Sequence, residues 1–179
     1  MKQFLKYHLY GAYHWKWYKN PEKYKRYKDH VDRVVDWIKE KNVLDVGCGD
    51  GLITHLLKAK GIDNEAEAIK VGKRRGVDDI ELGDIYNIQY KDDEFDAVFM
   101  GDVLEHLEFP EKALKEVRRV LKKHLYIAVP IEKKIIDPFH YARWTEEKLK
   151  KIVESIGFSF VEKMEPSNCL KLYIKFKKI

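Results

Sequence analysis

The sequence predicts an α/β fold built on a doubly wound, largely parallel sheet, and three observations predict it. Short apolar runs alternate with segments whose apolar residues recur at helical spacing, the pattern of βαβ units. The run Val43-Leu44-Asp45-Val46 passes straight into a glycine-rich loop that opens a helix. The last two apolar runs are separated only by a turn around Pro166-Ser167-Asn168, so they are expected to form an antiparallel hairpin at one edge of the sheet.

The first long helix is predicted over about 21–40. Asn20 is placed to cap it, Pro21 occupies the first helical position, and Tyr24, Tyr27, Val31, Val34, Val35 and Ile38 follow at helical spacing. Strands are predicted at 43–46, at 60–63 as a stub, and at 79–83, 95–101, 124–130, 158–164 and 169–177. Helices are predicted at about 51–58, 65–75, 110–122 and 145–156. No internal repeat or low-complexity tract interrupts this order.

At 179 residues, 45% hydrophobic and 36% charged, the chain is long and apolar enough for one globular domain that folds alone. No apolar run approaches the ~18 residues of a bilayer span, and the first ten residues have no small-residue cleavage site, which leads us to expect a cytoplasmic protein. Cys48 and Cys169 are too few for a disulfide framework and lack metal-ligand spacing, in keeping with a reducing compartment. Only two glutamines, Gln3 and Gln89, stand beside abundant lysine, a composition found in thermophiles.

The net charge of +5 is unevenly placed. Residues 1–41 carry +6 and 10 of the 23 aromatic residues, whereas the remaining 138 residues carry −1. We therefore divide the chain into an N-terminal aromatic and basic helical cap, 1–41, and a body, 42–179, within one globular unit.

The segment Gly47-Cys48-Gly49-Asp50-Gly51 is the most informative. Its glycines permit a sharp turn and close approach of a ligand, but their spacing is not that of a dinucleotide loop. Asp45 and Asp50 flank the loop where a pyrophosphate would sit, and a buried pair of like charges is costly. A ligand with a positive centre and no phosphates fits better, and S-adenosylmethionine has a sulfonium and an α-amino group in that place. Asp63, at the end of the second strand, is suited to ribose hydroxyls, and Asp84, at the end of the third, to an adenine amino group with Ile85 against the ring.

These residues reach a recognisable family. VLDVGCGDG, GID at 61–63, GDI at 83–85, FDAVFMGDVLEHL at 95–107 and LYIAVP at 125–130 resemble the class I S-adenosylmethionine-dependent methyltransferases over about 43–165. The resemblance implies a Rossmann-like, doubly wound seven-stranded sheet, mostly parallel, with the last, inserted strand antiparallel. It also implies methyl transfer by in-line displacement at the sulfonium. Gly47, Gly49 and Gly51 would line the methionine part, Asp63 the ribose, and Asp84 with Ile85 the adenine. Asp45, Asn64 and Asp102 complete the cofactor set.

Methyl transfer asks the protein to align a nucleophile and to take its proton. Asp102, Glu105 and His106 follow the fourth strand and would share one face of a helical turn. His140 precedes the last long helix. Glu105, His106 and His140 are therefore the candidate catalytic residues. The set Asp102, Glu105, His106 and His140 is also similar to the metal site of small-RNA terminal 2′-O-methyltransferases, and quinone-biosynthesis O-methyltransferases look like it as well. The resemblance thus admits a divalent cation (Mg, Mn or Zn). Direct acid/base or substrate-binding roles for the two histidines, and plain packing, stand beside it.

Three uses compete for the N-terminal segment: a lid in which Tyr10, Tyr13, His14 and Trp17 cover cofactor and acceptor, simple packing on the sheet, and an RNA surface. A lid packed on the sheet is preferred. The acceptor is expected to be a small molecule, methylated at oxygen because an Asn-Pro-Pro-Tyr-like motif is absent after the fourth strand, and anionic if it meets the basic cap. An RNA or protein substrate and a non-catalytic adaptor remain the alternatives.

Overall fold

A computed structural model describes residues 5–131, 140–165 and 170–179. Two short helices, α1 (Leu5–Tyr10) and α2 (Tyr13–Tyr18), precede α3 (Pro21–Trp37). The Asn20 side chain accepts a hydrogen bond from Lys23 N–H, and Pro21 occupies the first turn, so the predicted start of α3 is the observed one. The helix ends three residues earlier than its periodicity indicated, because Ile38 adopts an extended backbone.

The body alternates β1 (Val43–Val46), α4 (Leu52–Leu57), β2 (Lys60–Asp63), α5 (Ala66–Lys73), β3 (Ile80–Leu82), β4 (Phe95–Gly101), α6 (Pro110–Val120), β5 (Leu121–Pro130), α7 (Glu146–Glu154), β6 (Phe158–Met164) and β7 (Lys171–Lys178). The seven strands form one sheet in the order β3-β2-β1-β4-β5-β7-β6. Pairings among the first five strands are parallel, while β7 runs antiparallel to both β5 and β6. The fold is thus the mostly parallel, seven-stranded α/β sheet with an antiparallel closing strand. The turn at 166–168 and Cys169 lie outside the described residues.

β5 begins at Leu121 rather than 124. Leu121 takes an extended conformation directly after α6, so helix passes into strand with no loop, and the helix expected to reach 122 stops at Val120. β1 is buried at all four positions, as a central strand covered on both faces must be. Leu44, Val46, Val98, Met100, Leu125 and Ile127 pack on α6 and α7. On the opposite side Val34, Ile38, Val43, Phe99, Tyr126 and Tyr173 form a second layer under α3. A third cluster joins Trp15 of α2 to Val31, Cys48, Leu52 and Ile69. The N-terminal aromatics are therefore part of the core that supports the glycine loop. No helix among the described residues is long and apolar enough to cross a membrane.

Candidate active site

The carboxyl ends of β1, β2 and β4 open into one cleft of about 630 Å3. Open parallel sheets place ligands there, where the crossovers diverge from β1. One wall is the loop after β1. Gly47, Gly49 and Gly51 have φ of 75°, 56° and 73°, all left-handed, a conformation that glycine adopts without steric cost. Gly47 and Gly49 line the cleft. Gly51 does not; it starts α4 and presses against Val77 and Ile80, so its role is to bring helix and strand together.

The acidic ladder has distinct duties. Asp45 is buried and accepts a hydrogen bond from Thr54 Oγ1 at 2.6 Å; burial pushes its carboxyl up to about 7, which the Thr54 bond offsets only in part. Asp63 accepts from Gly49 N–H and Glu65 N–H, both at 2.8 Å, and so clamps the glycine loop to the end of β2. Burial raises its pKa against those two bonds. Asn64 and Ile85 line the cleft beside it. Asp84 is not among the lining residues: it is exposed, and its Oδ1 accepts from Tyr86 N–H at 2.8 Å in a local turn.

Asp50 differs most from its sequence-level description. It is fully buried and turned away from the loop toward α2, where it accepts from His14 N–H at 3.2 Å and sits 3.1 Å from His14 Nδ1. Its carbonyl accepts from Trp15 Nε1 at 3.0 Å. These contacts hold α2 across the cleft as a roof, and Tyr7 of α1 joins it with its hydroxyl 3.5 Å from His14 Nδ1. Tyr7, Tyr13, His14, Trp17 and Tyr27 line it, with Tyr13 and Trp17 centroids 4.9 Å apart and His14 stacked on Tyr27. Tyr10, expected in this roof, is 60% exposed and lies outside the lining.

The far wall follows β4. Asp102 has φ 56°, a left-handed backbone unusual outside glycine, and its carboxylate pairs with Lys171 of β7. Burial would raise its pKa, but Lys171 and the neighbouring His30 outweigh burial and hold it below the ordinary carboxylate value. A 3-10 turn, Leu104–His106, comes next. Asp102 and His106 line the cleft, and the buried Glu105 stays beside both, close to the Asp102 carboxylate and with a carboxylate oxygen within 4.8 Å of a His106 ring nitrogen. Burial, then the Asp102 charge, push Glu105 up to about 8, and its Oε2 has no hydrogen-bond partner. Tyr141 N–H donates to Glu105 O at 2.8 Å, which brings His140 against His106 with ring centroids 4.7 Å apart.

Ligand atoms of Glu105, His106 and His140 lie within 4.8 Å of one another. Asp102, also expected in that group, is held by Lys171 instead.

Sequence reasoning missed His30. It is 3% exposed, it lines the cleft, and its Nδ1 lies 2.8 Å from Tyr173 Oη. Burial, assisted by Lys171, lowers its pKa to about 3, so it is neutral. Lys171 and Tyr173 are two apart on one face of β7, and the antiparallel strand thereby supports both Asp102 and His30. A histidine within the apolar stripe of α3 was the available signal.

A glycine loop walled by carboxylates suits a cationic cofactor and disfavours a pyrophosphate. A family described as a methyltransferase domain matches residues 44–129, the stretch that builds this loop and the wall after β4. The chain belongs to the class I S-adenosylmethionine-dependent methyltransferases.

Relatives of this methyltransferase differ in the acceptor that their names give. Norajmaline N-methyltransferase from Rauvolfia serpentina is 31% identical over 137 residues, 68% of this chain and 47% of that protein. Ubiquinone biosynthesis O-methyltransferase from Nitrosomonas europaea is 27% identical over 105 residues, 52% of this chain and 45% of that one. The chain thus spans about half the length of these two relatives. Among solved structures, the magnesium protoporphyrin IX methyltransferase of Synechocystis, with bound S-adenosylhomocysteine, superposes with a TM-score of 0.72 at 17% identity, covering 87% of this chain and 85% of that one. That likeness is one of fold.

Proposed function

We propose that this methyltransferase moves the methyl group of S-adenosylmethionine to an oxygen of a small-molecule acceptor. The observation that supports it best is the opposition of two walls across one cleft: the glycine loop with Asp45 and Asp63, and the pair His106 and His140. When bound, S-adenosylmethionine supplies the electrophilic methyl and departs as a neutral thioether. In this assignment Gly47 and Gly49 pass close to the amino-acid part, Asp63 and Asn64 take the ribose, and Ile85 lies against the adenine. Asp84 and Gly51 make no cofactor contact. Asp102 and the aromatic roof exclude water from the space between the walls. His106 or His140 accepts the proton of the acceptor hydroxyl as the oxygen attacks, and releases it to solvent afterwards. A pocket of this size, shared by cofactor and acceptor, leaves room for a small molecule.

The inward-facing rings favour this over an RNA acceptor. Tyr7 and Trp15 are buried, and Tyr13, Trp17 and Tyr27 face the cleft, so few rings remain outside as stacking platforms. Calorimetry with S-adenosylhomocysteine tests the cofactor, and release of that product with a panel of phenols, catechols and amines tests the acceptor. Absence of binding at millimolar ligand removes the enzyme reading and leaves a non-catalytic adaptor. Turnover of amines alone removes the oxygen acceptor.

One observation favours a metal-assisted variant. Glu105, His106 and His140 converge, and the buried Glu105 Oε2 is unpartnered. These three would hold a divalent cation, which would lower the pKa of an acceptor hydroxyl. Activity that survives chelator unchanged eliminates this variant; activity lost to chelator and restored by Mn or Zn supports it.

A further inference from the structure

The amino-acid end of S-adenosylmethionine carries a carboxylate, and the glycine loop is poorly equipped to hold it. The N–H groups of Gly47 and Cys48 both donate to Ile62 O, at 2.8 and 3.0 Å. Gly49 N–H donates to Asp63 Oδ2 and Gly51 N–H to Cys48 O. With these four donors engaged, the loop has few N–H groups left for an anion, and α4, at six residues, is too short to add a cradle of them. The side chains that face the ligand beside the loop are Asp45 and Asp63, which suit an ammonium and repel an anion.

Donors for the anion must come from another element, and α1 provides them. Lys6 is the only lysine or arginine among the described residues that line the cleft. The Tyr7 hydroxyl lies so close over Gly49 that a Cβ there would overlap it, it sits 3.5 Å from His14 Nδ1, and the Tyr7 and Tyr13 ring centroids are 5.0 Å apart. Burial raises the pKa of both phenols, Tyr13 to about 12, so both hydroxyls keep their protons.

We infer that Lys6, with the hydroxyls of Tyr7 and Tyr13, binds the carboxylate of the cofactor, so that the N-terminal helices read the amino-acid end of the ligand. This rests on the cofactor assignment above. It gives the roof a ligand-dependent function: the cofactor bridges the glycine loop below and α1 above, and the basic character of the N-terminal segment acts on the cofactor at that point.

The test is calorimetry of the whole chain with two probes. S-adenosylhomocysteine has the amino-acid end, and 5′-methylthioadenosine keeps the nucleoside and thioether without it. Lys6→Met is expected to raise the Kd for S-adenosylhomocysteine about tenfold, the scale of a charge-assisted hydrogen bond, while the Kd for 5′-methylthioadenosine stays within about twofold. Lys6→Arg should restore most of the difference, and Tyr7→Phe should produce a smaller loss of the same selectivity. Equal changes for the two probes, or an unchanged Kd for S-adenosylhomocysteine in Lys6→Met, overturn the inference while the cofactor assignment stands. A wild-type chain that binds neither probe overturns both.

Discussion

His14 and Asp50 join the N-terminal helices to the glycine loop: the fully buried Asp50 carboxylate accepts from His14 N–H at 3.2 Å and meets His14 Nδ1 at 3.1 Å. A buried carboxylate in a methyltransferase loop is thereby used to fasten a roof and leaves Asp45 and Asp63 to face the ligand. Removing it strands the donors of His14 in a part-buried place. Asp50→Ala is expected to cost about 2 to 4 kcal/mol in urea unfolding and to speed proteolytic cleavage within residues 5–19. Unfolding and cleavage equal to wild type would mean that the ring packing alone holds the roof.

His30 predicts an acid-sensitive fold. Its folded pKa, near 3, lies below the ordinary value of about 6.5, so between those two pH values the unfolded chain binds a proton that the folded chain refuses. Stability therefore falls as pH drops from about 6.5 to 3, by up to about 1.4 kcal/mol per unit from this group, and levels off below. The groups around it are Tyr173, Lys171, Asp102 and His14. In His30→Gln, stability measured by chemical denaturation at pH 4, 5, 6 and 7 should show a shallower slope than wild type; an identical slope would contradict the assignment.

Asp45 carries the opposite sign. Its folded pKa, near 7, exceeds the unfolded value of about 3.9, so the folded state holds a proton that the unfolded state has lost, and stability declines as pH rises between those limits. Asp45→Asn keeps an acceptor for the Thr54 hydroxyl and removes the cost of a buried charge. The variant is expected to be more stable than wild type by about 2 kcal/mol at pH 8, with the gain vanishing near pH 4, and to bind S-adenosylhomocysteine more weakly. Thermal unfolding at the two pH values, paired with calorimetry, checks both parts.

Gly47 combines φ 75° with a side chain directly overhead, since an added Cβ would overlap Val103 Cγ2. Gly47→Ala is expected to cost about 2 to 4 kcal/mol. Adding Val103→Ala should recover the part due to overlap and leave the backbone part, about 1 to 2 kcal/mol. A double variant no better than the single one would show that backbone conformation accounts for the whole effect.

Much of the fold is legible residue by residue. Asn20 and Pro21 announce α3, and the βα alternation with Gly47, Gly49 and Gly51 announces the sheet and its switch point, because capping, periodicity and left-handed turns are local properties written in neighbouring residues. Boundaries were less legible where two elements abut: α6 runs into β5 at Leu121 because the sheet recruits residues whose own pattern suits a helix. The two short helices α1 and α2 were hidden for a similar reason, since six residues each are too few to display a period.

The sequence by itself determined the family, the sheet and the loop on which a cationic cofactor would rest. It also named His106 and His140, which the fold brings within 4.7 Å although 34 residues separate them. Only the tertiary structure decided what each acid does. Asp50 turns to His14, Asp102 pairs with Lys171 on an antiparallel strand, Glu105 is buried beside His106 and His140, and His30 meets Tyr173 across 143 residues. A carboxylate or an imidazole takes its role from burial and from the partner that packing delivers, and neither is encoded in the residues beside it.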